Sequence, residues 1–253
     1  MLTEERRRSI LEIVARDGRG VVKDLAPRFD TSEVTIRKDL EVLHSRGLVC
    51  RTHGGALPID TGACLDPSLE EKEKLRRREK QRIGAAAARL VRDGLSVILD
   101  AGSTTSALAR ELHGFHNLTV ITNAVNVAAE LAGTDIAVIL TGGILRERSF
   151  AMVGPLAEEA LRHLSADIFF LGADGFDVHF GVTTPNLLEA KVNRVMMEVS
   201  KRVVVVCDST KFGRRSLSLV APVSAVQQVI TDRRLSKSDR KALEDAGVQV
   251  TVV

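Results

Sequence analysis

Residues 30–56 read DTSEVTIRKDLEVLHSRGLVCRTHGGA. Asp30-Thr31 turns the chain, and Ser32 is placed to N-cap a helix. In that helix Ile36, Leu40 and Leu43 fall at i, i+4 and i+7, which buries one face and turns Val34, Arg37, Lys38 and Glu41 outward or to the flank. Gly47 then marks a turn, and an extended segment carrying Arg51 and His53 ends in Gly54-Gly55. An exposed helix with small polar and basic residues, followed by a basic hairpin, suits a DNA groove and its flanking phosphates. Upstream, Ile10, Ile13 and Val14 give the i, i+3, i+4 stripe of a first helix ended by Gly18 and Gly20, and Val22, Leu25 and Ala26 carry a short second helix. Residues 1–56 therefore read as helix, helix, helix, hairpin.

The chain as a whole bounds this reading without naming it. Its 253 residues are enough for one large or two smaller domains, and 44% hydrophobic with 27% charged residues is ordinary for a globular protein. A net charge of +3 is too small to mark a nucleic-acid binder, so the case rests on local charge and motif. Eight Phe with no Trp or Tyr argue against single-strand or RNA binding on stacked aromatics. Cys50, Cys64 and Cys207 are odd in number and far apart, which excludes a disulfide framework or zinc spacing. No cofactor or metal is expected. The charged, amphipathic N-terminus lacks a signal-peptide run, and no stretch approaches the about 18 apolar residues of a membrane span. A cytoplasmic protein is expected.

Residues 57–78 read as a linker: LPIDTGACLDPSLE has two prolines and no periodicity, and the charge run KLRRREKQR reads as a solvated helix face. From residue 79 short apolar β-rich runs at 96–100, 118–122, 136–140, 167–174, 203–208 and 227–232 alternate with helical patterns. That alternation predicts a mostly parallel sheet covered on both faces, an α/β domain spanning 79–253. Ligands in such sheets bind outside the carboxyl ends of the strands.

The strand ends carry the candidate ligand groups. After the first come Asp100, Gly102, Ser103, Thr104 and Thr105, a polar loop opening a helix whose free amides attract an anion. Thr122 and Asn123 follow the second, Gly142 and Gly143 the third, Asp174 the fourth, and Lys211 the fifth. Three polar, glycine-bearing ends in one sheet point to a convergent pocket for a small phosphorylated ligand. Asp100 and Asp174 suit ligand hydroxyls and Lys211 a phosphate. Asn186 and Glu189 either close that pocket or cap their helix. Met196 and Met197 read as core filler, and His113, His116, His163 and His179 lack sequence partners and are given no role.

RRRSILEIVARDG, SEVTIRKDLEVLHSRGLVCRTHGGA, DAGSTTSALA, VITNAVNVAAEL, LTGGILRERSFAMVGPLAEEAL and DSTKFG together resemble the DeoR family of bacterial transcriptional regulators over nearly the full length. The resemblance implies a winged helix-turn-helix at residues 1–56, then an effector domain akin to ribose-5-phosphate isomerases and CoA transferases. It implies a repressor of a sugar-catabolic operon that binds double-stranded operator DNA, answers to a sugar phosphate, and forms a homodimer or homotetramer. FLGADGFDVHFGVTT resembles the branch that controls amino-sugar use, AgaR-like. By position, Ser32, Glu33, Thr35, Arg37 and Lys38 fall on the recognition helix and Arg51 and His53 on the wing. The alternative is a sugar-phosphate isomerase or CoA-transferase-like enzyme with an accessory domain. Against it, LGADGFD is not followed by the glycine-rich segment those isomerases use.

Overall fold

The computed structural model describes residues 3–45, 48–52, 54–58 and 66–253 and divides the chain into two compact units, 1–65 and 66–253. The first contains α1 (Thr3–Asp17), β1 (Gly20–Val21), α2 (Val22–Arg28), α3 (Glu33–Ser45), β2 (Val49–Thr52) and β3 (Gly55–Pro58). The stripes read from the sequence meet in one core of Ile10, Ile13, Val14, Val22, Leu25, Ile36, Leu40 and Leu43, closed by Val49 and Ala56. β2 and β3 form an antiparallel hairpin, and β1 adds to β3. A Cβ at Gly55 would lie 1.9 Å from the Gly20 carbonyl oxygen, so only glycine lets β3 approach β1. Gly47 and His53 lie outside the described residues.

The second unit opens with two helices, α4 (Leu69–Lys74) and α5 (Arg77–Ala88). Residues 66–78, read above as linker, are thus part of this unit. Next come β4 (Ser96–Leu99), α6 (Ser103–Arg110), β5 (Thr119–Thr122), α7 (Val125–Leu131) and β6 (Ala137–Leu140). A hairpin of β7 (Ile144–Arg146) and β8 (Ala151–Val153) leads to α8 (Pro155–Arg162) and β9 (Ile168–Leu171). Then follow β10 (Gly175–Asp177), β11 (Gly181–Thr184), α9 (Leu187–Glu198), β12 (Val203–Val206), β13 (Ser218–Ala221), β14 (Gln228–Thr231), α10 (Lys237–Asp245) and β15 (Gln249–Val252).

Seven strands form one parallel sheet in the order β15-β14-β12-β9-β4-β5-β6. All six expected strands are in it, and β15 is an addition. Alternate residues of the strands point to opposite faces. Ile168 and Phe170 join a core with Ile83, Leu108 and Val127, while Phe169 and Leu171 join one with Leu161, Val195 and Leu243. Both faces are therefore covered by helices, as a parallel sheet requires. β10, β11 and β13 form a separate small antiparallel sheet.

The strand order decides where a ligand can enter. From β4 the chain winds outward through β5 to β6; it then returns to β9 and winds the other way to β15. The reversal lies between β4 and β9, and a crevice opens at the carboxyl ends of strands on either side of such a switch point.

Candidate functional site

In the first unit Ser32 caps α3: its hydroxyl accepts the Thr35 N–H at 3.2 Å and lies 3.0 Å from the Thr35 hydroxyl. Val34, Arg37 and Lys38 are exposed. Arg37 is bridged at 2.5 Å to Glu33, one turn back on the same face. Arg51 pairs with Ala56 on the hairpin. On the opposite side of α3, Asp39 is 2% exposed and held by Arg6 at 2.6 Å and Arg7 at 2.9 Å, both from α1. This clamp ties α3 to α1 on the same side as its buried apolar stripe. Asp39 was missed by the sequence reading, although it stands at i+3 from Ile36, inside the buried stripe.

In the second unit a cleft of about 530 Å³, counting its open mouth, lies at the β4–β9 switch. Asp100, Gly102, Ser103 and Thr104 enter it from the end of β4, Gly172 and Asp174 from the end of β9. Glu189 and Asn193 come from α9, Lys211 from the turn after β12, Thr184 from β11, and Lys72 and Lys80 from α4 and α5. The first backbone bond of α6 runs from the Ser106 N–H to the Gly102 carbonyl at 2.9 Å, which leaves the amides of Ser103, Thr104 and Thr105 without an acceptor inside the helix. Gly102 itself has extended backbone, φ 165°.

The charges in this cleft are interlocked. The Lys72 ammonium lies 2.5 Å from Asp174. Burial works against ionisation of Asp174, but Lys72 and Lys211 outweigh it and hold the carboxyl below its ordinary range. Arg146 bonds Glu189 at 2.7 Å and also bonds Asp66. The Thr184 hydroxyl lies 3.3 Å from Asp174 and 3.2 Å from Glu189. Asp100 is buried; burial and then the nearby Glu189 push its carboxyl well above the usual range. It accepts bonds from the backbone N–H of Ala101 (2.7 Å) and Gly172 (3.0 Å) and from the Asn193 amide (3.3 Å). The other end of that amide, Asn193 Oδ1, is buried without a partner among the described residues.

Six expected groups do not line the cleft. The Thr122 hydroxyl donates to the Leu99 carbonyl at 2.7 Å and accepts the Ala124 N–H. Asn123 donates to the Met152 carbonyl at 3.1 Å. Gly142 and Gly143 carry the chain from β6 into β7, the second against Val153. The Thr105 hydroxyl donates to the Gly102 carbonyl at 2.8 Å. Asn186 caps α9 by accepting the Leu188 and Glu189 amides. For Thr122, Asn123, Gly142 and Gly143 the physical reason is topological: β5 and β6 lie on the outer side of β4, away from the switch. Of the three ends read as convergent, that of β4 lines the cleft and those of β5 and β6 do not; the ends of β9 and β12 join it instead. Lys72, Lys80, Thr184 and Asn193 were missed. For Lys80 a signal existed, since Lys80, Ile83, Gly84 and Ala87 form a buried i, i+3, i+4, i+7 stripe.

Residues 6–61 match the model of the DeoR-like helix-turn-helix domain, and residues 75–233 that of the DeoR C terminal sensor domain. The chain belongs to the DeoR family of transcriptional regulators. It is 38% identical over 253 residues to a protein of Escherichia coli O157:H7 named for repression of the aga operon, covering 99% of this chain and 94% of that one. It is 39% identical over 251 residues to the transcriptional regulator GlpR of Haloferax volcanii, covering 99% and 98%. The glycerol-3-phosphate regulon repressor of Escherichia coli K12 is 31% identical over 252 residues, covering 99% of each. Among solved structures, ribose 5-phosphate isomerase A from Neisseria gonorrhoeae aligns over 54% of this chain and 53% of that chain, with 15% identity and a TM-score of 0.41. As a DeoR-family regulator the protein is not an enzyme. No helix among the described residues is long and apolar enough to cross a membrane.

Proposed function

We propose that this DeoR-family regulator represses a sugar-catabolic operon in the cytoplasm, binds operator DNA through α3 and the β2–β3 hairpin, and is controlled by a phosphorylated sugar or polyol in the β4–β9 cleft. The observation that carries the reading is the chemistry of that cleft. Free amides of Ser103, Thr104 and Thr105 and the ammonium groups of Lys80 and Lys211 offer an anion seat. Asp100, Asp174, Glu189 and Asn193 line the same cleft and offer hydroxyl-binding groups. The names of the relatives, which include aga and glycerol-3-phosphate repression, accord with a phosphorylated effector.

On the DNA side Arg37 is the group suited to a bidentate guanine contact, its exposed bridge to Glu33 being weak enough to exchange for a base. Ser32, Thr35, Lys38, Arg51 and His53 serve the phosphates, which position without specifying. A homodimer or homotetramer places two such helices on paired half-sites. The effector shifts DNA binding by its difference in affinity for two arrangements of the assembly.

The test is thermal melting with a panel of sugars and their phosphates. A ligand at 100 times its dissociation constant stabilises by about 2.7 kcal/mol. Phosphorylated members are expected to raise the melting temperature, and a shift produced equally by a free sugar would refute the phosphate seat.

A further inference from the structure

Lys80 belongs to the charge run read as a solvated face, yet it is 5% exposed and lines the cleft with Gly102, Ser103, Thr104 and Lys211. Its position follows from Gly84, one turn later. A Cβ at Gly84 would come within 2.8 Å of the Ala107 and Leu108 backbone, so α5 packs directly onto α6 and Lys80 is carried toward the α6 N-terminus. Its ammonium donates to the carbonyl oxygens of Lys72 and of Leu75, the latter at 2.8 Å. Among the described residues it joins no ion pair. An ammonium has three N–H donors, so one remains for whatever enters the cleft.

The two carbonyls belong to the last turn and the C-cap of α4, where helix carbonyls lack the regular i+4 N–H donor; that of Lys72 also accepts the Leu75 N–H at 3.2 Å. α4 is a six-residue helix with Leu69 as its one buried residue, too short to persist by itself. Polar ties hold it: Lys72 to Asp174, the Leu69 N–H to the Arg148 carbonyl at 2.7 Å, Asp66 to Arg146, and the two bonds from Lys80. It is also the first helix after the DNA-binding unit in sequence.

We propose that Lys80 couples ligand binding to α4. An anion seated on the α6 amides takes the third Lys80 N–H, keeps the ammonium charged in its buried position, and so firms its grip on the two α4 carbonyls. Without the anion α4 is the loosest helix around the cleft. The inference rests on the reading of the cleft as a phosphate seat. Two further facts point to a ligand there: the buried, unpartnered Asn193 Oδ1, and the cost of burying Lys80, which lowers its pKa to about 8.

Hydrogen exchange of the full-length chain tests this, with inorganic phosphate as probe and chloride at equal ionic strength as control. In the wild type, phosphate should slow the amides of residues 103–106 and, with the same concentration dependence, those of 70–75, by about tenfold. In Lys80→Met, residues 70–75 should exchange faster than in the wild type without phosphate, and phosphate should not slow them. Slowing at 103–106 with none at 70–75 in the wild type would overturn the coupling while leaving the seat intact. Undiminished slowing at 70–75 in Lys80→Met would overturn it too. No slowing at 103–106 at any concentration would remove the seat itself, and the coupling with it. Should Lys80→Met fail to fold, the wild-type comparison alone decides.

Discussion

The charged groups of α3 and those of the cleft live under opposite conditions. Arg37 and Glu33 are 47% and 40% exposed, and their pair lies in water, where an i,i+4 bridge contributes about 0.3–0.5 kcal/mol. They can release each other to meet another partner. Lys72, Asp174, Arg146 and Glu189 are each at most 16% exposed and bonded among themselves, so losing one strands another away from solvent. One region leaves its charges free to re-pair at a surface; the other holds them in fixed, buried pairs.

The largest effect should come from disturbing the packing that holds the second set. Gly84→Val puts side-chain carbon against the α6 backbone and is expected to cost the second unit about 3 kcal/mol in urea unfolding, with the first unit untouched. A cost below about 1 kcal/mol would mean that the α5–α6 approach is not what seats Lys80.

Next is Asp39→Ala, which leaves Arg6 and Arg7 without their carboxylate. Breaking a buried pair costs about 3–5 kcal/mol, and because these arginines can turn to water the expectation is about 2 kcal/mol in thermal unfolding of the first unit. A neutral result would show that α3 is oriented by its apolar stripe alone.

Arg37→Ala should cost about 1–3 kcal/mol of discrimination between operator and random DNA, whereas Lys38→Ala should weaken both alike. Equal losses for Arg37→Ala on both DNAs would reassign it to the phosphates.

The smallest effect is a pH dependence confined to the cleft. Burial first, then the Lys72 and Lys211 charges, lower the Lys80 pKa to about 8, against Asp208 and Glu73, which raise it. The protonated form binds the anion. Affinity for sulfate, which does not titrate in this range, should therefore be flat below pH 8 and fall as pH rises beyond it. Calorimetric titration that stays flat well above pH 8 would take Lys80 out of the seat.

Much of this was legible in the sequence, for identifiable reasons. The stripes Ile10/Ile13/Val14 and Ile36/Leu40/Leu43 admit one period, that of a helix, and the short runs IFFL and VVVV point to buried strands by their β-branched and aromatic content; each became the element it implied. The loop after Asp100 was expected to open a helix at a strand end, and it does so beside the cleft, although such a loop serves equally as a helix cap. Strand order was not legible, and it alone separates the ends of β4 and β9, which meet, from those of β5 and β6, which serve local bonds. Asp39 and Lys80 share a different cause. Each stands inside a buried helical stripe, and a charge on such a stripe reads as solvated until its partners, Arg6 and Arg7 or the α4 carbonyls, are brought from elsewhere in the chain.

The central claim is that the β4–β9 cleft governs what α3 does on DNA. Its most direct test is the affinity of the full-length protein for DNA upstream of its own and adjoining genes, measured by fluorescence anisotropy with and without each sugar phosphate, for the wild type and for Lys211→Met. One phosphorylated compound should change wild-type affinity by about tenfold, an ordinary coupling free energy, and change that of Lys211→Met far less. A response of the same size in Lys211→Met, or one evoked equally by the unphosphorylated sugar, would contradict the account.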